Sequence, residues 1–194
     1  MTRKVWSRLS RRRQYESEWI RAILQYIDPL ALCMSITDEI HIERASMSDA
    51  EEILEVQKAA FLGQARIYDN YQLPPLIQAI ESLKHEFTGK TFLKAVLHDQ
   101  IIASVKFRQC GDEVHIGRLI VAPSYQDQGV GAYLMRHLED LFQQGESFHL
   151  FTGEKSSRNI HLYTMLGYQQ VKTEITSEGF ALIHMEKCRE TASG

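Results

Sequence analysis

The chain passes from strand to helix through Leu119-Ile-Val-Ala-Pro-Ser-Tyr-Gln-Asp-Gln-Gly-Val-Gly-Ala-Tyr-Leu-Met135. Pro123 ends the apolar strand, because proline has no N–H to donate to a sheet ladder. Gly129 and Gly131 lack the side chains that would keep a ligand away from the backbone N–H groups of the turn. Those N–H groups open a helix, whose N-terminus carries unpaired donors and a partial positive charge. The stretch therefore predicts a site for a phosphate or pyrophosphate group.

The two best-known phosphate loops do not match this turn. A P-loop requires Gly-Lys-Ser/Thr, and Leu134 stands where a dinucleotide fingerprint requires its third Gly or Ala. The turn instead resembles the acetyl-CoA pyrophosphate loop of the GNAT superfamily of N-acetyltransferases, whose pattern is Gln/Arg-x-x-Gly-x-Gly/Ala. In this chain the pattern is Gln126-x-x-Gly129-x-Gly131, five residues after Val121. A plain helix-entry turn is the alternative interpretation of the same glycines.

The resemblance implies which residues contact acetyl-CoA. Backbone N–H groups between Gln126 and Ala132 would bind the pyrophosphate, and the strand edge from Leu119 to Val121 would pair with the pantetheine arm. The cofactor-binding residues implied by this turn and strand are Leu119, Ile120, Val121, Gln126, Asp127, Gln128, Gly129, Val130, Gly131 and Ala132.

The remainder of the chain predicts a domain of the α/β (α+β) class. Alternating apolar residues predict strands, and apolar residues spaced by three or four predict helices, in the order β-α-α-β-β-β-α-β-α-β-β over residues 40–187. This order is similar to the GNAT fold, which implies a mixed, mostly antiparallel sheet of about seven strands flanked by about four helices. The strands are predicted over 40–44, 91–97, 101–109, 114–121, 149–152, 171–175 and 180–186, and the last two helices over about 130–144 and 156–166.

A second motif supports the resemblance. Asn159-Ile-His-Leu-Tyr-Thr-Met-Leu-Gly-Tyr168 resembles the superfamily signature Leu-Tyr-x-x-x-Gly-Phe/Tyr. The family's general acid stands at the position of Tyr163, where a phenol would protonate the departing CoA thiolate. A tyrosine that only packs is the alternative. Many members carry a cofactor-binding asparagine seven residues earlier, whereas this chain has Ser156 there and Asn159 one turn later, so both are expected to contact the cofactor.

The general base is predicted from the same resemblance. An amine must lose a proton before it attacks a thioester, so a carboxylate, an imidazole or a chain of water molecules is expected. Some relatives carry a glutamate on the central strand eleven positions before the glutamine of the loop, and in this chain that position is His115. Imidazole accepts protons near neutral pH. A structural histidine is the alternative, and Glu113 lies two residues away on the same face.

Charge and aromatic residues bear on the acceptor. The formal net charge is −3, but the first forty residues hold seven basic and five acidic residues, which leaves −5 for the remainder. An acidic body favours a cationic or amine acceptor and disfavours nucleic acid. Phe61, Tyr68 and Tyr71 lie where the family builds its acceptor site, and they could equally fill the core.

The N-terminal segment differs from the rest of the chain. Residues 1–39 are basic, with six Lys/Arg before the first acidic residue, Glu16. We expect a flexible arm or a peripheral helix ahead of an acetyltransferase domain over 40–187 and a tail over 188–194. A basic arm, a targeting presequence and an early start are three interpretations that stay open. Met34 precedes a plausible start of the domain.

The composition narrows the function classes. Three scattered cysteines, Cys33, Cys110 and Cys188, predict reduced thiols in a cytoplasmic protein. No apolar run reaches the ~20 residues of a membrane span, and no spacing predicts a metal site.

We therefore predict a cytoplasmic N-acetyltransferase that transfers the acetyl group of acetyl-CoA to an amine by direct attack in a ternary complex. We expect a monomer or homodimer without metal, nucleic acid or membrane. The alternative from another class is a non-catalytic acyl-CoA-binding module.

Overall fold

The computed structural model of the protein describes residues 35–142, 146–176 and 179–188. The predicted N-terminal extension and C-terminal tail lie almost wholly outside the described residues. From Glu39 onward the described residues belong to one compact unit, to which everything below refers. The strands are β1 His41–Arg44, β2 Thr91–Leu97, β3 Gln100–Cys110, β4 Glu113–Val121, β5 Ser147–Gly153, β6 Gln169–Ile175 and β7 Ala181–Cys188. The α-helices are α1 Ala50–Tyr68, α2 Pro74–Ile77, α3 Ile80–Glu86, α4 Val130–Asp140 and α5 Ser157–Met165.

Seven strands form one sheet in the order β1-β2-β3-β4-β5-β7-β6. Every neighbouring pair is antiparallel except β4 and β5, which run parallel. Parallel neighbours require a crossover connection, and α4 supplies it. The predicted fold class, a mixed and mostly antiparallel sheet of about seven strands, is confirmed.

The core lies on both faces of the central strands. Consecutive residues of β3 from Ile101 to Phe107 are buried, which requires cover on both sides because successive side chains point to opposite faces. Helices α1 and α4 both contact β3 and supply that cover. In α4 the buried apolar positions include Val130, Leu134 and Leu138, as the three-to-four spacing predicts. Leu141 lies beyond the end of the helix and is exposed, so the predicted helix is too long by about one turn.

The second of the two helices predicted between the first two strands is divided into α2 and α3 in the structure. Gln78 and Ala79 have extended ψ angles of 128° and 152°, which interrupt the helical path. In a continuous helix the carbonyl of Pro75 would accept from the N–H of Ala79. It accepts instead from Nε2 of the buried Gln57 at 2.9 Å, so the cost of the interruption is offset by a side-chain hydrogen bond.

The two parallel strands separate soon after they meet. Pairing between β4 and β5 is confined to Glu113–Ser147, Val114–Phe148 and His115–His149. The two strands continue to Val121 and Gly153 without pairing with each other, and the gap between them opens on the N-terminus of α4.

A β-bulge lies beside this gap. Ser104 and Lys106 of β3 are two residues apart, but their partners Ile120 and Gly117 on β4 are three apart. The extra residue falls at Arg118, whose φ of +40° is unusual for a residue with a side chain. A bulge re-aims a side chain out of the regular alternation, and here the side chain is an arginine.

Candidate active site

Two adjoining cavities occupy the gap between β4 and β5. The loop-side cavity, about 510 Å³, is bounded by the glycine turn, the start of α4 and one side of α5. The strand-side cavity, about 470 Å³, is bounded by residues 116–119 of β4, 151–153 of β5 and the segment 73–75. The two cavities share the lining residues Phe61, Gln64, Leu119, Ser156 and Asn159. A ligand bound at the turn can therefore extend into the strand-side cavity.

The glycine turn has the geometry of an anion-binding site. Gly129 has a φ of +82°, which only glycine adopts at little cost, and the space where its Cβ would lie is open. The hydrogen bond from Tyr133 N–H to the carbonyl of Gly129, at 2.9 Å, is the first of the helix. The three preceding N–H groups, from Val130 to Ala132, have no intrahelical acceptor and remain available to a ligand. The turn thus fits the pyrophosphate that the sequence motif predicts.

Gly131 allows close packing behind the turn. A Cβ at this position would lie 3.4 to 3.6 Å from side-chain carbons of Leu162, Leu119 and Val121. These are ordinary van der Waals distances, so alanine would fit, as the family pattern allows, whereas a longer side chain would not.

Gln126 fixes the turn to the strand that precedes it. Its Nε2 donates to the carbonyl of Val121 at 3.0 Å, and its Oε1 accepts from Nη1 of Arg158 at 2.5 Å. Gln128 Nε2 donates to the carbonyl of Ser124 at 2.8 Å. The glutamine of the motif therefore shapes the turn through its side chain.

Two arginines that the sequence analysis missed line the loop-side cavity. Arg158 of α5 forms an ion pair with Asp127 and reaches across the turn, and Arg136 lies nearly two helical turns into α4. Both are suited to the phosphate groups of a nucleotide, because a guanidinium binds phosphate through two donors. The available signal was a basic residue in the first two turns of each helix that begins at the site.

Ser156 and Asn159 lie on the boundary between the two cavities. Ser156 is buried and its Oγ donates to Oε1 of Gln64 at 2.6 Å, while Asn159 Nδ2 donates to Oγ1 of Thr152 at 3.3 Å. These bonds connect the start of α5 to α1 and to β5. The structure therefore brings both residues to the predicted cofactor region, where they also hold the two sides of the gap together.

Tyr163 lines the strand-side cavity and is itself buried. Burial raises the pKa of its phenol well above its ordinary value, so the hydroxyl stays protonated at neutral pH. Among the described residues its hydroxyl has no hydrogen-bond partner. Its ring packs edge to face against Tyr168, with the centroids 5.9 Å apart. A protonated donor at a cavity is the arrangement expected of a general acid.

Tyr168, the second aromatic residue of the motif, has a structural role. Tyr168 is buried, and its hydroxyl donates to Oε1 of Glu139 at 2.9 Å. Glu139 also accepts from Lys187 at 2.6 Å. These bonds connect the residue after α5 to α4 and β7, and they fix the ring against which Tyr163 packs.

The structure does not bring His115 together with the other predicted site residues. It lies in the short paired part of β4, stacked on His149 at 5.3 Å, with Nε2 3.0 Å from Oε2 of Glu113. Its side chain is about half exposed and lines neither cavity. Its assignment as general base stays a prediction.

The aromatic residues predicted at the acceptor site divide into two groups. Phe61 and Tyr68 line the strand-side cavity, whereas Tyr71 does not and is exposed. The hydroxyl of Tyr68 accepts from the N–H of Lys155 at 2.9 Å. A Cβ at Gly153 would lie 2.1 Å from that hydroxyl, so the close approach of α1 to β5 requires glycine there.

Arg118 at the bulge is the main residue that sequence reasoning missed. It lines the strand-side cavity, and its Nη1 donates to Oε1 of Gln57, at 3.3 Å, and to Oε1 of Gln78. Gln78 in turn donates to Glu86 at 2.7 Å. Nothing in the local sequence predicts this network, because its members come from α1, the α2–α3 junction, α3 and β4.

Comparison with known proteins agrees with this fold. Residues 56–189 match the family model described as "Acetyltransferase (GNAT) domain". The solved structure of the ribosomal-protein-S18-alanine N-acetyltransferase from Escherichia coli superposes with a TM-score of 0.63 at 19% identity, covering 79% of this chain and 96% of that one. PaiA N-acetyltransferase from Thermoplasma acidophilum, in complex with coenzyme A, gives 0.58 at 18% identity, covering 76% and 99%.

A curated relative, UPF0157 protein YqkA of Bacillus subtilis (strain 168), is 24% identical over 133 residues. The match covers 69% of this chain and 38% of the relative, so this chain spans well under half of its length.

The chain belongs to the GNAT acetyltransferase family. The fold, with the glycine turn ahead of α4, agrees with that membership. Within the described residues, no helix is both long and apolar enough to cross a membrane.

Proposed function

We propose that this protein transfers the acetyl group of acetyl-CoA to a primary amine that attacks directly while both substrates are bound. The observation that carries the proposal is the shared boundary of the two cavities. An anion-binding turn opens one cavity, a protonated tyrosine lines the other, and five residues line both. A thioester held from the turn would thus reach the tyrosine without a covalent enzyme intermediate.

Acetyl-CoA supplies the activated acetyl group as a thioester. The N–H groups from Val130 to Ala132, with Arg136 and Arg158, would bind its phosphates, and the open edge of β4 would pair with its pantetheine arm. The cofactor-binding set predicted from sequence, residues 119–121, 126–132, 156 and 159, is proposed without change, and the two arginines are added to it.

Tyr163 is the proposed general acid. As the amine nitrogen forms its bond to the acetyl carbon, the carbon–sulfur bond breaks and the sulfur takes the electron pair. The phenol of Tyr163 gives its proton to that thiolate. Burial raises the pKa of Tyr163, so the phenol is protonated at the start of each turnover.

The proton lost by the amine needs a separate acceptor. The described lining of the strand-side cavity contains neither a carboxylate nor an imidazole. We keep His115 as the proposed base. Because it lines neither cavity, it would act through water molecules that connect it to the strand-side cavity.

A non-catalytic acyl-CoA-binding module is the competing function. Binding alone does not require a buried phenol in the wall of the strand-side cavity, so the described geometry favours turnover. We further propose a cytoplasmic enzyme, monomeric or homodimeric, that acts without metal, nucleic acid or membrane. The exposed thiols of Cys110 and Cys188 suit a reducing compartment.

A screen of amines tests the proposal. The protein is incubated with acetyl-CoA and each amine, and both thiol release and the mass of the N-acetyl product are measured. We expect at least one amine to give stoichiometric thiol and product. Tight acetyl-CoA binding without transfer to any amine would favour the binding module instead.

A further inference from the structure

Arg118 differs from every other described residue that lines the strand-side cavity, because it alone is charged. We propose that the acceptor carries a carboxylate in addition to its amine, and that Arg118 binds this carboxylate. The inference rests on the acetyl-transfer function proposed above and concerns the substrate class of the same site.

The backbone at Arg118 is held in a costly conformation. Its φ of +40° lies in the left-handed region, which a residue with a long side chain seldom occupies. Such strain persists where the surroundings fix it, and it is concentrated at functional sites. The β-bulge takes the guanidinium out of the regular alternation of β4 and brings it to the wall of the cavity.

The guanidinium of Arg118 has N–H donors that its two hydrogen bonds do not use. Its Nη1 donates to the amide oxygens of Gln57 and Gln78, and both of these acceptors are neutral. Among the described residues, Nη2 and Nε have no acceptor. A guanidinium carries five N–H donors in a fixed fork that matches the two oxygens of a carboxylate.

Positive charge exceeds negative charge around Arg118. Glu86 is the nearby carboxylate, but its Oε2 already accepts from Lys90 at 2.8 Å and from Lys106, and its Oε1 accepts from Gln78. Three cations therefore share one carboxylate in this cluster. An anion bound at Arg118 would balance the excess.

The pKa of Lys106 reflects the same excess of positive charge. Burial lowers the pKa of Lys106 to about 8, the hydrogen bond to Glu86 opposes this, and the charge of Arg118 lowers it further. Burial also opposes ionisation of Glu86, but hydrogen bonds from Lys106, Lys90 and Gln78 outweigh it and hold the pKa of Glu86 at about 2. All of these groups are thus charged at neutral pH, and a second cation in the cavity would be repelled.

The other described lining residues define the remainder of the acceptor. They are mostly aromatic or aliphatic, which favours an apolar body between or beside the amine and the carboxylate. A polyamine does not suit this cavity, since a second ammonium would find no carboxylate in the described lining and would meet Arg118. The apolar members of the wall include Phe61, Tyr68, Leu73, Phe151, Phe180 and Leu182.

The first arm of the test compares matched acceptors with the wild-type protein. Phenylalanine is paired with phenethylamine, leucine with isoamylamine, and 6-aminohexanoate with pentylamine, so that each pair differs by the carboxylate. We expect kcat/KM for the best amino acid to exceed that of its partner by about 10- to 100-fold, as charge-assisted hydrogen bonds imply.

The second arm changes the protein. Arg118→Met should remove that preference, because it should lower kcat/KM for the amino acid far more than for the matched simple amine. Arg118→Lys should restore part of the preference, because it restores the charge without the fork. Arg108→Met is the matched control, since Arg108 is an exposed arginine of β3 that lines neither cavity. Melting temperature and acetyl-CoA affinity are measured for each variant.

The outcomes separate the inference from the proposed function. Equal or better use of the simple amines, or an equal loss for both members of a pair in Arg118→Met, overturns the inference and leaves acetyl transfer intact. Failure to acetylate any amine overturns the proposed function together with the inference. If Arg118→Met does not fold, the comparison of acceptors with the wild-type protein decides alone.

Discussion

Tyr163 is the residue on which the proposed chemistry depends. Tyr163→Phe retains the ring that packs on Tyr168 but removes the proton, so we expect kcat to fall by the ~100- to 10,000-fold typical of general acid catalysis. The acetyl-CoA affinity should change little, because the missing interaction forms late in the reaction. Tyr133→Phe, on α4 and outside both cavities, is the control. A wild-type rate for Tyr163→Phe, with chemistry limiting turnover, would reduce Tyr163 to a packing residue.

His115 is the weaker catalytic assignment, and its position sets the size of the effect. Since His115 lines neither cavity, His115→Ala should lower kcat/KM by less than the tyrosine substitution, with an altered acid limb of the pH profile. The pH dependence of kcat/KM with a saturating acetyl-CoA concentration measures both. His149→Ala, its stacking neighbour, separates a chemical effect from loss of the stack. Identical pH profiles for wild type and His115→Ala would exclude His115 as the base.

At the level of residues, the sequence predicted what local motifs encode. Tyr163, Gly129 and Asn159 each stand at a fixed offset in a short motif, and the structure places each of them at the gap. Arg118 belongs to no motif, because its environment is assembled from separate elements and depends on a bulge that no spacing reveals. His115 was inferred by counting along a strand, and counting gives no account of where the gap begins.

Among the elements, the turn that leads into α4 is the one most open to direct test. Gly129→Glu combined with Gly131→Glu should abolish the rise in melting temperature that acetyl-CoA gives to the wild type. Gly129→Glu places bulk and negative charge at the turn and requires an unfavourable φ, whereas Gly131→Glu disrupts the close packing behind the turn. Gly89→Glu is the matched control, since its Cβ would meet open space in a turn outside both cavities. Unchanged CoA affinity in the double variant would show that the turn does not bind the pyrophosphate.

The connection between α3 and β3 through Glu86 should be visible in acid. The pKa of Glu86 is held at about 2, below its usual value of 4.5, so the folded protein binds fewer protons there than the unfolded chain. The stabilisation is therefore complete above pH 4.5 and is lost as the pH falls toward 2. After allowance for solvent screening we expect about 1 to 2 kcal/mol.

Denaturant unfolding of wild type and Glu86→Gln between pH 7 and pH 2 measures the stabilisation that Glu86 contributes. The difference in unfolding free energy between the two proteins should shrink across pH 4.5 to 2. Glu81→Gln, an exposed change on the same helix, should show no such trend. A difference that stays constant with pH would mean that Glu86 does not titrate as described.

The elements show where periodicity succeeds and where it fails. All seven strands were predicted within a few residues, because alternation and turn residues mark them locally. The division of α2 from α3 was missed, since it depends on Gln57 supplying a hydrogen bond from another helix. The end of α4 was placed too late because Leu141 continues the apolar spacing although it is exposed.

At the scale of the whole molecule, the N-terminal segment provides the simplest test. The described core begins with Ile40, which is buried, and β1 follows at once. A protein that begins at Met34 should therefore fold with essentially the same melting temperature and bind acetyl-CoA. Circular dichroism melts with and without acetyl-CoA measure both properties. Loss of folding on this truncation would show that the domain needs residues 1–33.

The overall charge and the charge of the cavity wall point to different acceptors. A net charge of −5 outside the first forty residues favoured a cationic substrate, yet the described lining of the strand-side cavity has a single charge, and it is positive. The net charge is a sum over the whole protein, so it does not give the electrostatic field inside one cleft, where a few buried groups dominate. The fold could be predicted because it follows from many local signals, whereas the electrostatics of the site follow from a handful of long-range contacts.

The separation of β4 from β5 creates two unpaired strand edges in the middle of a sheet. Exposed edges are templates on which foreign strands add, and proteins usually blunt them at the margins with charge or irregularity. Here the edges face each other across a cleft that α1 and α5 border, through Gln64 and Ser156. We expect a slender extended molecule to enter and pair there more readily than a strand of another polypeptide, which carries side chains on both of its faces. The two strand edges would then stay open to a small ligand while being protected from aggregation.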